Sequence, residues 1–323
     1  MIFGDKYQPV KIISHGIWGI IYEVKDKLNE QNHYALKFME NKLFLEYEKE
    51  IEIMKNIKSK YIVAYKDDFY DKTNDGYCIV MELCDGDLRQ ILNEYKPKGL
   101  PLNLINKIFY QLNDALKAMI DIDYTHRDLK PENILIKYTD NDKNNFNIKL
   151  TDFSTSRQIT NKQKYIILPR GTYNYMAPEF YNEKREILFK EAFTVDYFAF
   201  GCILYEMISK EDLIKEVKDE NGKIIKAKKN DIENFIEKGL LKLCKFNYSN
   251  MLKELVSNLI NIIPNKRPNI KELLDNKWVN HDFHIINKIK LINFGQNLKI
   301  FIELQKSPFI QKITKKRKKY IIE

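Results

Sequence analysis

One pair of motifs constrains the fold of this chain more than any other feature, because it requires segments that are distant in sequence to meet. Residues 126–133 read His-Arg-Asp-Leu-Lys-Pro-Glu-Asn, and Asp152-Phe153-Ser154 begins nineteen positions after Asn133. Ala177-Pro178-Glu179 follows further on. The first motif contains an aspartate, a lysine two residues later and an asparagine five residues later, and the second motif adds another aspartate. These four groups are the ones that position a metal-bound nucleotide beside a hydroxyl group. We therefore expect both segments to line one cleft.

In this order and spacing, the motifs resemble those of the eukaryotic protein kinases, and Lys130 in the loop resembles the serine/threonine branch. The resemblance covers roughly residues 7–279. It implies an α+β fold with two lobes: a small lobe made of a five-stranded antiparallel sheet and one helix, and a larger, mainly helical lobe. It also implies an enzyme that transfers the γ-phosphoryl group of Mg-ATP to Ser or Thr hydroxyls of protein substrates.

The resemblance assigns roles to the charged residues of the motifs. Asp128 is the expected base, which orients the acceptor hydroxyl, and Lys130 is expected to neutralise charge on the transferred group. Asn133 and Asp152 are the expected Mg²⁺ ligands, since that ion prefers oxygen donors. Lys37, at the end of a Tyr-Ala-Leu-Lys segment, is expected to contact the nucleotide phosphates. The candidate catalytic residues are thus Asp128, Lys130 and Lys37.

A glutamate of the first predicted helix is expected to hold Lys37 in place. Glu50 is the best candidate, because its distance along the chain from Ile62-Val63 fits the family spacing. Three other glutamates of the same helix remain alternatives: Glu46, Glu48 and Glu52. A single lysine or glutamate on a helix face is more often a solvated charge, so the functional interpretation rests on the place of these residues within the ordered motifs.

The segment Ser14-His15-Gly16-Ile17-Trp18-Gly19 lies where the family has a glycine-rich loop, with Ser14 in place of the first glycine. Gly16 and Gly19 still permit close approach of the backbone to phosphates, although such a segment alone is more often an ordinary hairpin turn. Met81 is expected behind the adenine, followed by a hinge at residues 82–84. The expected ATP-binding residues are Ile13, Ser14, Gly16, Gly19, Ile21, Ala35, Lys37, Glu50, Met81, Glu82, Cys84 and Asn133.

Ser154 replaces the glycine that follows Asp-Phe in the family, which narrows the conformations open to this turn. We expect metal binding to persist and regulation to differ.

Residues 152–179 resemble an activation loop. In such enzymes the arginine beside the catalytic aspartate, here Arg127, binds an anion of this loop. Leu168 occupies the position at which a phosphorylated residue is frequent, so either another acceptor serves or the loop is held without phosphate. The other acceptors are Thr155, Ser156, Thr160 and Tyr165.

Hydrophobic patterns place the secondary structure. Strands are predicted at residues 7–13, 20–26, 33–38, 61–69 and 77–82, and helices at residues 42–57, 102–122 and around 195–208. An Asn-Gly pair at residues 221–222 predicts a small hairpin. The predicted kinase domain spans residues 7–279, with a small lobe at 7–83 and a large lobe at 84–279, and a basic, partly helical tail follows at 280–323.

The net charge of +9 lies mostly in this tail, which carries ten Lys and Arg against three Asp and Glu and leaves only +2 for the remainder. Any contact with a polyanion is therefore expected from the tail, and nucleic-acid binding by the kinase domain is not expected. Residues 315–319 are Lys-Lys-Arg-Lys-Lys. This cluster has three alternative interpretations: a nuclear localisation signal bound by an import factor, a contact with an acidic partner, or a solvated terminus.

The four cysteines predict an intracellular protein. They are Cys78, Cys84, Cys202 and Cys244, and they lie in apolar or helical segments without close pairing or metal-ligand spacing. Neither a secretory signal nor a membrane span is expected from the sequence. The expected location is cytoplasmic, with the cluster at residues 315–319 as a candidate nuclear address.

Asp87 and Glu132 lie where related enzymes attract basic side chains of the substrate. One interpretation is a substrate with basic residues near the acceptor, and the other is that both residues are solvated surface charges.

The alternative to an active enzyme is a nucleotide-binding pseudokinase scaffold with weak or no catalysis, which Ser14 and Ser154 suggest. A nucleic-acid-binding protein that uses the tail explains only the last residues.

Overall fold

A computed structural model describes residues 2–96, 99–159, 165–166, 171–181, 186–187, 192–218, 220, 223–225 and 227–268. The predicted tail at 280–323 lies outside the described residues, as do Thr160, Leu168 and the Asn-Gly pair at 221–222.

The small lobe is built on one antiparallel sheet, as predicted. Its strands are β1 (Tyr7–Gly16), β2 (Gly19–Asp26), β3 (Asn29–Glu40), β4 (Tyr65–Asp71) and β5 (Gly76–Glu82). Their order is β1-β2-β3-β5-β4. The predicted fourth strand began too early, at residue 61. Ile62 instead forms an isolated parallel bridge to Leu150, so this apolar segment ties the two lobes together.

The two faces of the sheet have different surroundings, because successive side chains along a strand point to opposite faces. Leu36 of β3 is fully buried with Val24, Val80 and Phe3 in the core of the small lobe. The neighbours of Leu36 in β3, Ala35 and Lys37, therefore lie on the opposite face. That face looks toward the large lobe.

The helix of the small lobe, α1 (Phe44–Asn56), follows a 3₁₀ turn at Asn41–Leu43. It was predicted at residues 42–57. Its buried face includes Tyr47, Glu50, Ile51 and Met54, at the spacing of one helical stripe. Glu50 is thus a carboxyl group in an otherwise apolar face, and a buried carboxyl group requires a partner.

The large lobe is mainly helical in its described part. Its helices are α2 (Leu88–Tyr95), α3 (Leu102–Ile120), α4 (Thr194–Ser209), α5 (Lys229–Leu243) and α6 (Asn250–Leu259). Every residue of α4 is buried, which fits a sequence that is mostly apolar around the helix, with Asp196 and Glu206 as its charged residues. Phe109 of α3 stacks on Phe200 of α4 with ring centroids 5.3 Å apart, so these two helices form the centre of the lobe. Among the described helices, none combines the length and the apolar character that crossing a membrane requires.

Short strands complete the large lobe. A three-stranded sheet joins β6 (Gly86–Asp87), β8 (Ile134–Tyr138) and β9 (Phe146–Leu150) in the order β6-β8-β9. Three two-stranded pairs are β7 (Tyr124–Thr125) with β10 (Arg157–Gln158), β11 (Tyr165–Ile166) with β12 (Glu186–Ile187), and β13 (Val217–Lys218) with β14 (Ile224–Ile225). The last pair flanks the predicted hairpin, whose Asn-Gly pair at 221–222 lies outside the described residues.

A buried ion pair braces the large lobe. Arg267 donates to both carboxylate oxygens of Glu179, at 2.7 and 2.8 Å, and also to the carbonyl of Thr194 at 3.1 Å. Its guanidinium lies 5.0 Å from the ring centroid of Phe198. The pair links the segment that carries Glu179 to α4.

Replacing Arg267 by Met is expected to lower the free energy of unfolding by about 3 to 5 kcal/mol, because Glu179 is left as an uncompensated buried carboxylate. Urea denaturation measures this difference. Lys266→Met, at the exposed neighbouring position, is the control and is expected to change stability by less than about 0.5 kcal/mol. Equal effects of the two substitutions would contradict the role of the pair.

Candidate functional site

The sheet of the small lobe and the loops of the large lobe enclose a cleft of about 980 Å³. This volume is at the upper end of the range for sites that bind small molecules and cofactors. All twelve residues that the sequence predicted for nucleotide binding line the cleft, together with Lys130 and Asp152. Their contacts with a nucleotide stay a prediction.

The roof of the cleft is the β1–β2 hairpin. Gly16 pairs with Gly19 across a tight turn, and Ser14 pairs with Ile21. Gly19 has a φ of +130°, and a Cβ atom there would lie 2.2 Å from the carbonyl oxygen of Phe38. Only glycine fits at this position, since both the backbone conformation and the contact with β3 exclude a side chain.

Three charged side chains from three different elements meet at the back of the cleft. Lys37 Nζ of β3 lies 2.7 Å from Glu50 Oε2 of α1 and 3.1 Å from Asp152 Oδ1, which follows β9. Lys37 and Glu50 are almost completely buried. Glu50 is therefore the partner of Lys37, as predicted, and none of the three alternatives in α1, Glu46, Glu48 and Glu52, is buried.

These three groups set one another's ionisation. Burial opposes the charge of Lys37, but Asp152 and Glu50 outweigh it and raise the pKa of the ammonium group above its usual value. Burial likewise opposes the charge of Asp152, but Lys37 and a hydrogen bond from Ser154 hold the pKa of Asp152 below its usual range. Burial raises the pKa of Glu50, and Asp152 adds to that effect while Lys37 opposes it. The site thus favours a cationic Lys37 beside an anionic Asp152.

The hydroxyl of Ser154 supports Asp152, a contact that was not predicted from the sequence. Its Oγ donates a hydrogen bond to Asp152 Oδ1 at 2.7 Å, and Lys49 donates to its carbonyl oxygen. Asp152 itself has a φ of +64°, an unusual conformation for a residue other than glycine. The available signal was a hydroxyl two residues after an aspartate, a spacing that allows local side-chain hydrogen bonds.

Asp128 lies on the floor of the site in a network of hydrogen bonds. Its Oδ1 accepts from the backbone N and Oγ1 of Thr172, at 2.7 and 2.8 Å. Its Oδ2 lies 3.0 Å from Lys130 Nζ and 3.2 Å from Asn133 Nδ2. One carboxylate oxygen is thus fixed by Thr172, and the other faces Lys130 and Asn133.

The backbone of the loop that carries Asp128 is held by Asp196 of α4. The carboxylate of Asp196 accepts hydrogen bonds from the backbone N of His126 at 2.7 Å and of Arg127 at 2.8 Å. Arg127 has a φ of +70°, which these contacts help to maintain. This positioning role of Asp196 was not predicted from the sequence.

Asn133 and Asp152 have the donor atoms that suit Mg²⁺. Asn133 Nδ2 donates to Asp128, which leaves the amide oxygen available as a ligand. Asp152 Oδ2 accepts no hydrogen bond from the described residues, and both side chains line the cleft. No group of three His, Cys, Asp or Glu side chains in the described residues forms a metal site. The residues present therefore fit an ion that takes few protein ligands and completes its shell with water and phosphate, as Mg²⁺ does.

Comparison with known proteins agrees with this geometry. The family model described as protein kinase domain matches residues 7–279. The chain belongs to the eukaryotic protein kinase family, serine/threonine type. The family that the sequence motifs suggested is thereby confirmed.

Several serine/threonine-protein kinases are similar to this kinase. Serine/threonine-protein kinase nekl-2 of Caenorhabditis elegans is 27% identical over 300 residues, which cover 85% of the chain and 74% of that protein. Serine/threonine-protein kinase 33 of Bos taurus is 29% identical over 280 residues, which cover 83% of the chain and 54% of that protein. Serine/threonine-protein kinase Nek2 of Mus musculus is 27% identical over 295 residues, 85% of the chain but only 60% of that protein. The chain thus spans less than two thirds of the length of two of these three relatives.

Side-chain contacts help to fix the hinge of the kinase. Glu82 Oε1 accepts from the backbone N of Ala64 at 2.7 Å and from Lys149 Nζ at 2.6 Å. Lys137 Nζ donates to the carbonyl of Leu83 at 2.9 Å. The thiol of Cys84 lines the cleft, and burial raises its pKa to about 12, so it is a poor nucleophile at neutral pH.

Two of the predicted phosphate acceptors of the activation loop are buried in this conformation. The hydroxyls of Thr155 and Ser156 both donate to the carbonyl of His126, at 3.0 and 3.4 Å. Phosphorylation of either residue therefore requires this segment to open first. Tyr165 lies in β11, of which the structure describes only the backbone.

Neither acidic residue at the mouth of the cleft is a simple solvated charge. Asp87 Oδ1 accepts from the backbone N of Gln90 at 2.9 Å and so caps α2. Glu132 Oε1 accepts from Arg89 Nε at 2.7 Å. Both residues line the cleft, as the sequence interpretation required, but each has a partner within the chain.

Removing the charge of Lys37 is expected to cost stability, and removing its partner's charge as well is expected to recover part of it. Lys37→Met leaves Glu50 and Asp152 without their shared cation, at an expected loss of about 3 to 5 kcal/mol at pH 8. Lys37→Met/Glu50→Gln is expected to be more stable than the single variant. Urea denaturation of both variants and of the wild type measures these differences.

The loss in Lys37→Met is expected to shrink as the pH falls from 8 toward 5.5. The variant lacks the cation that opposes the raised pKa of Glu50, so its folded state takes up a proton that the unfolded state takes up only at lower pH. The double variant lacks that group and is expected to follow the pH dependence of the wild type more closely. A single variant whose deficit is independent of pH would contradict the ion cluster.

Proposed function

We propose that this kinase is catalytically active and transfers the γ-phosphoryl group of ATP, with Mg²⁺, to serine or threonine hydroxyls of protein substrates. The observation that carries the proposal is the convergence of Lys37, Asn133 and Asp152 on one cleft, with Asp128 hydrogen-bonded to Asn133 beside it. Positioning and electrostatic stabilisation supply most of the catalysis in phosphoryl transfer, and these groups provide both.

The nucleotide is assigned to the interior of the cleft. Apolar side chains of Ile13, Ile21, Ala35 and Met81 line the part of the cleft that receives the adenine. The backbone of residues 82–84 offers hydrogen-bonding groups to the base, and Lys37 contacts the phosphates. Glu50 has a positioning role, because it holds Lys37 Nζ at 2.7 Å.

Asn133 and Asp152 would hold the metal ion, as their oxygen donors indicate. When bound, Mg²⁺ neutralises phosphate charge and fixes the orientation of the phosphates. The hydrogen bond from Ser154 and the contact with Lys37 keep Asp152 ionised for this role.

Asp128 is the residue that handles the acceptor hydroxyl. Because Thr172 fixes Oδ1, the second oxygen, Oδ2, orients the hydroxyl and accepts its proton. The ammonium group of Lys130 lies 3.0 Å from that oxygen and offsets negative charge on the transferred group.

The substrate and the location belong to the same proposal. The resemblance to serine/threonine-protein kinases supports protein substrates with hydroxyl acceptors. Use of ATP and four free thiols favour an intracellular enzyme. The basic cluster at residues 315–319 is assigned to an acidic partner or an import factor. A basic residue near the acceptor is less favoured than the sequence suggested, since Glu132 already pairs with Arg89.

A nucleotide-binding scaffold without turnover is the second candidate. It is favoured by Ser14 and Ser154, which stand where the family has glycine. The hydroxyl of Ser154 supports Asp152 rather than displacing it, which favours the active enzyme.

Asp128→Asn is expected to lower phosphoryl transfer by about a thousandfold, because it removes the group that accepts the hydroxyl proton. Transfer is measured with labelled ATP, Mg²⁺ and a mixture of general protein substrates. Asp121→Asn, the same substitution at an exposed position, is the control and is expected to keep full activity. No transfer by the wild type, although wild type and Asp128→Asn both bind ATP, would support the scaffold instead.

Asp152→Asn is expected to abolish the effect of Mg²⁺ on ATP affinity. In the wild type and in Asp121→Asn, Mg²⁺ is expected to tighten ATP binding by about tenfold, roughly 1.4 kcal/mol. Calorimetric titration with ATP, with and without Mg²⁺, separates the metal contribution from that of the nucleotide. An Asp152→Asn variant that responds to Mg²⁺ like the wild type would exclude this residue as the ligand.

A further inference from the structure

Arg89 of α2 fills an acidic pocket that its own chain provides. The acidic pocket consists of Glu132, Glu206 and Tyr175. Arg89 Nε donates to Glu132 Oε1 at 2.7 Å, Nη1 contacts Glu206, and Nη2 donates to the hydroxyl of Tyr175 at 2.6 Å. Tyr175 in turn donates to Glu206 Oε2 at 2.8 Å. All three nitrogens of the guanidinium therefore have partners.

The acidic pocket is built from separate parts of the large lobe. Glu132 lies in the turn Pro131–Asn133, Glu206 lies in α4, and Tyr175 lies in the turn Tyr173–Tyr175. The Glu206 side chain is 8% exposed, whereas that of Glu132 is 44% exposed. The pocket thus has a buried inner carboxylate and an open outer one. This arrangement of acceptors fits a planar guanidinium, and a fit of that kind discriminates arginine from other side chains.

The pocket adjoins the place where a protein substrate must lie. Glu132 is two residues from Lys130 and next to Asn133 in the chain, and it lines the same cleft as both. A peptide that presents its hydroxyl to Asp128 therefore passes Glu132. Without Arg89, the two carboxylates would offer this peptide a site for a basic side chain.

We propose that Arg89 determines substrate specificity: its guanidinium occupies the acidic pocket and excludes an arginine of the protein substrate from it. An incoming guanidinium would meet a like charge and would find the inner carboxylate already bound. The kinase consequently does not select arginine at this place. This inference rests on the proposed protein kinase function.

A different interpretation is that Arg89 only braces the large lobe. A brace affects stability, and its loss leaves peptide selectivity unchanged. A specificity determinant changes which peptides bind, and the change depends on Glu132. Selectivity and stability measured on the same variants therefore separate the two.

The test uses the full chain as wild type, Arg89→Ala, Arg89→Gln and Arg89→Ala/Glu132→Gln. Gln at position 89 removes the charge but retains a hydrogen-bond donor for Glu206, so it covers the case in which the alanine variant fails to fold. The probes are dye-labelled peptides with one central serine and one arginine at each flanking position in turn. Matched peptides carry citrulline, the neutral isostere, in place of arginine. Phosphorylation gives kcat/KM, and fluorescence anisotropy gives the binding affinity of the same peptides.

Wild type is expected to show less than about a twofold preference for arginine over citrulline at any position. Arg89→Ala and Arg89→Gln are expected to gain about a fivefold preference at one position, as a partly exposed charge pair provides. The added Glu132→Gln substitution is expected to abolish that gain. A fifth protein, Glu132→Gln alone, is tested with further peptides that carry Asp or Asn at each flanking position in turn. The substitution frees one edge of Arg89 and is expected to give about a fivefold preference for Asp over Asn at the same position.

The proposal is overturned if the wild type already selects arginine as strongly as Arg89→Ala does. It is also overturned if the Arg89 variants lose stability without any change in selectivity. Failure of the wild type to phosphorylate any peptide would instead reject the proposed kinase activity. In that case the anisotropy measurements still decide whether Arg89 excludes arginine.

Discussion

The ion cluster of Lys37, Glu50 and Asp152 is the interaction on which the cleft depends. Its members come from β3, from α1 and from the segment after β9, so it fixes the sheet, the helix and the large lobe relative to one another. Isolated burial of any one of these charges is costly, and the three become compatible only when all are in place. The same contacts leave Lys37 cationic and Asp152 anionic, which is the charge distribution that a metal-bound triphosphate requires.

Much of this arrangement was predictable from the sequence, because short motifs in a fixed order carry the residues that form it. The family motifs placed Lys37 at the end of the third predicted strand, and the chain distance between Glu50 and Ile62-Val63 selected Glu50 as its partner. The structure adds that Lys37 lies on the face opposite Leu36 and that Glu50 lies on the buried face of α1. The start of β4 was wrong because residues 61–64 are apolar for a different reason. Ile62 bridges to Leu150 in the other lobe, and a local pattern cannot tell which strand an apolar segment will meet.

The features that escaped prediction are contacts between distant residues or between side chains and backbone. Glu132 was interpreted as a substrate contact or a surface charge, yet it pairs with Arg89, 43 positions earlier, and Arg89 also reaches Glu206, 117 positions later. Ser154 was considered only for its backbone, whereas its hydroxyl supports Asp152. Thr155 and Ser156 were considered as phosphate acceptors, although their burial against His126 depends on how the loop folds back. Each outcome follows from three-dimensional proximity that the residue types alone do not encode.

The most direct test of the account is a crystal structure of the kinase with a nonhydrolysable ATP analogue and Mg²⁺. The account predicts the adenine between Ala35 and the backbone of residues 82–84, the phosphates against Lys37, and the metal ion bound by Asn133 and Asp152. A nucleotide bound elsewhere, or bound in the cleft with its phosphates away from Lys37 and Asp152, would contradict it.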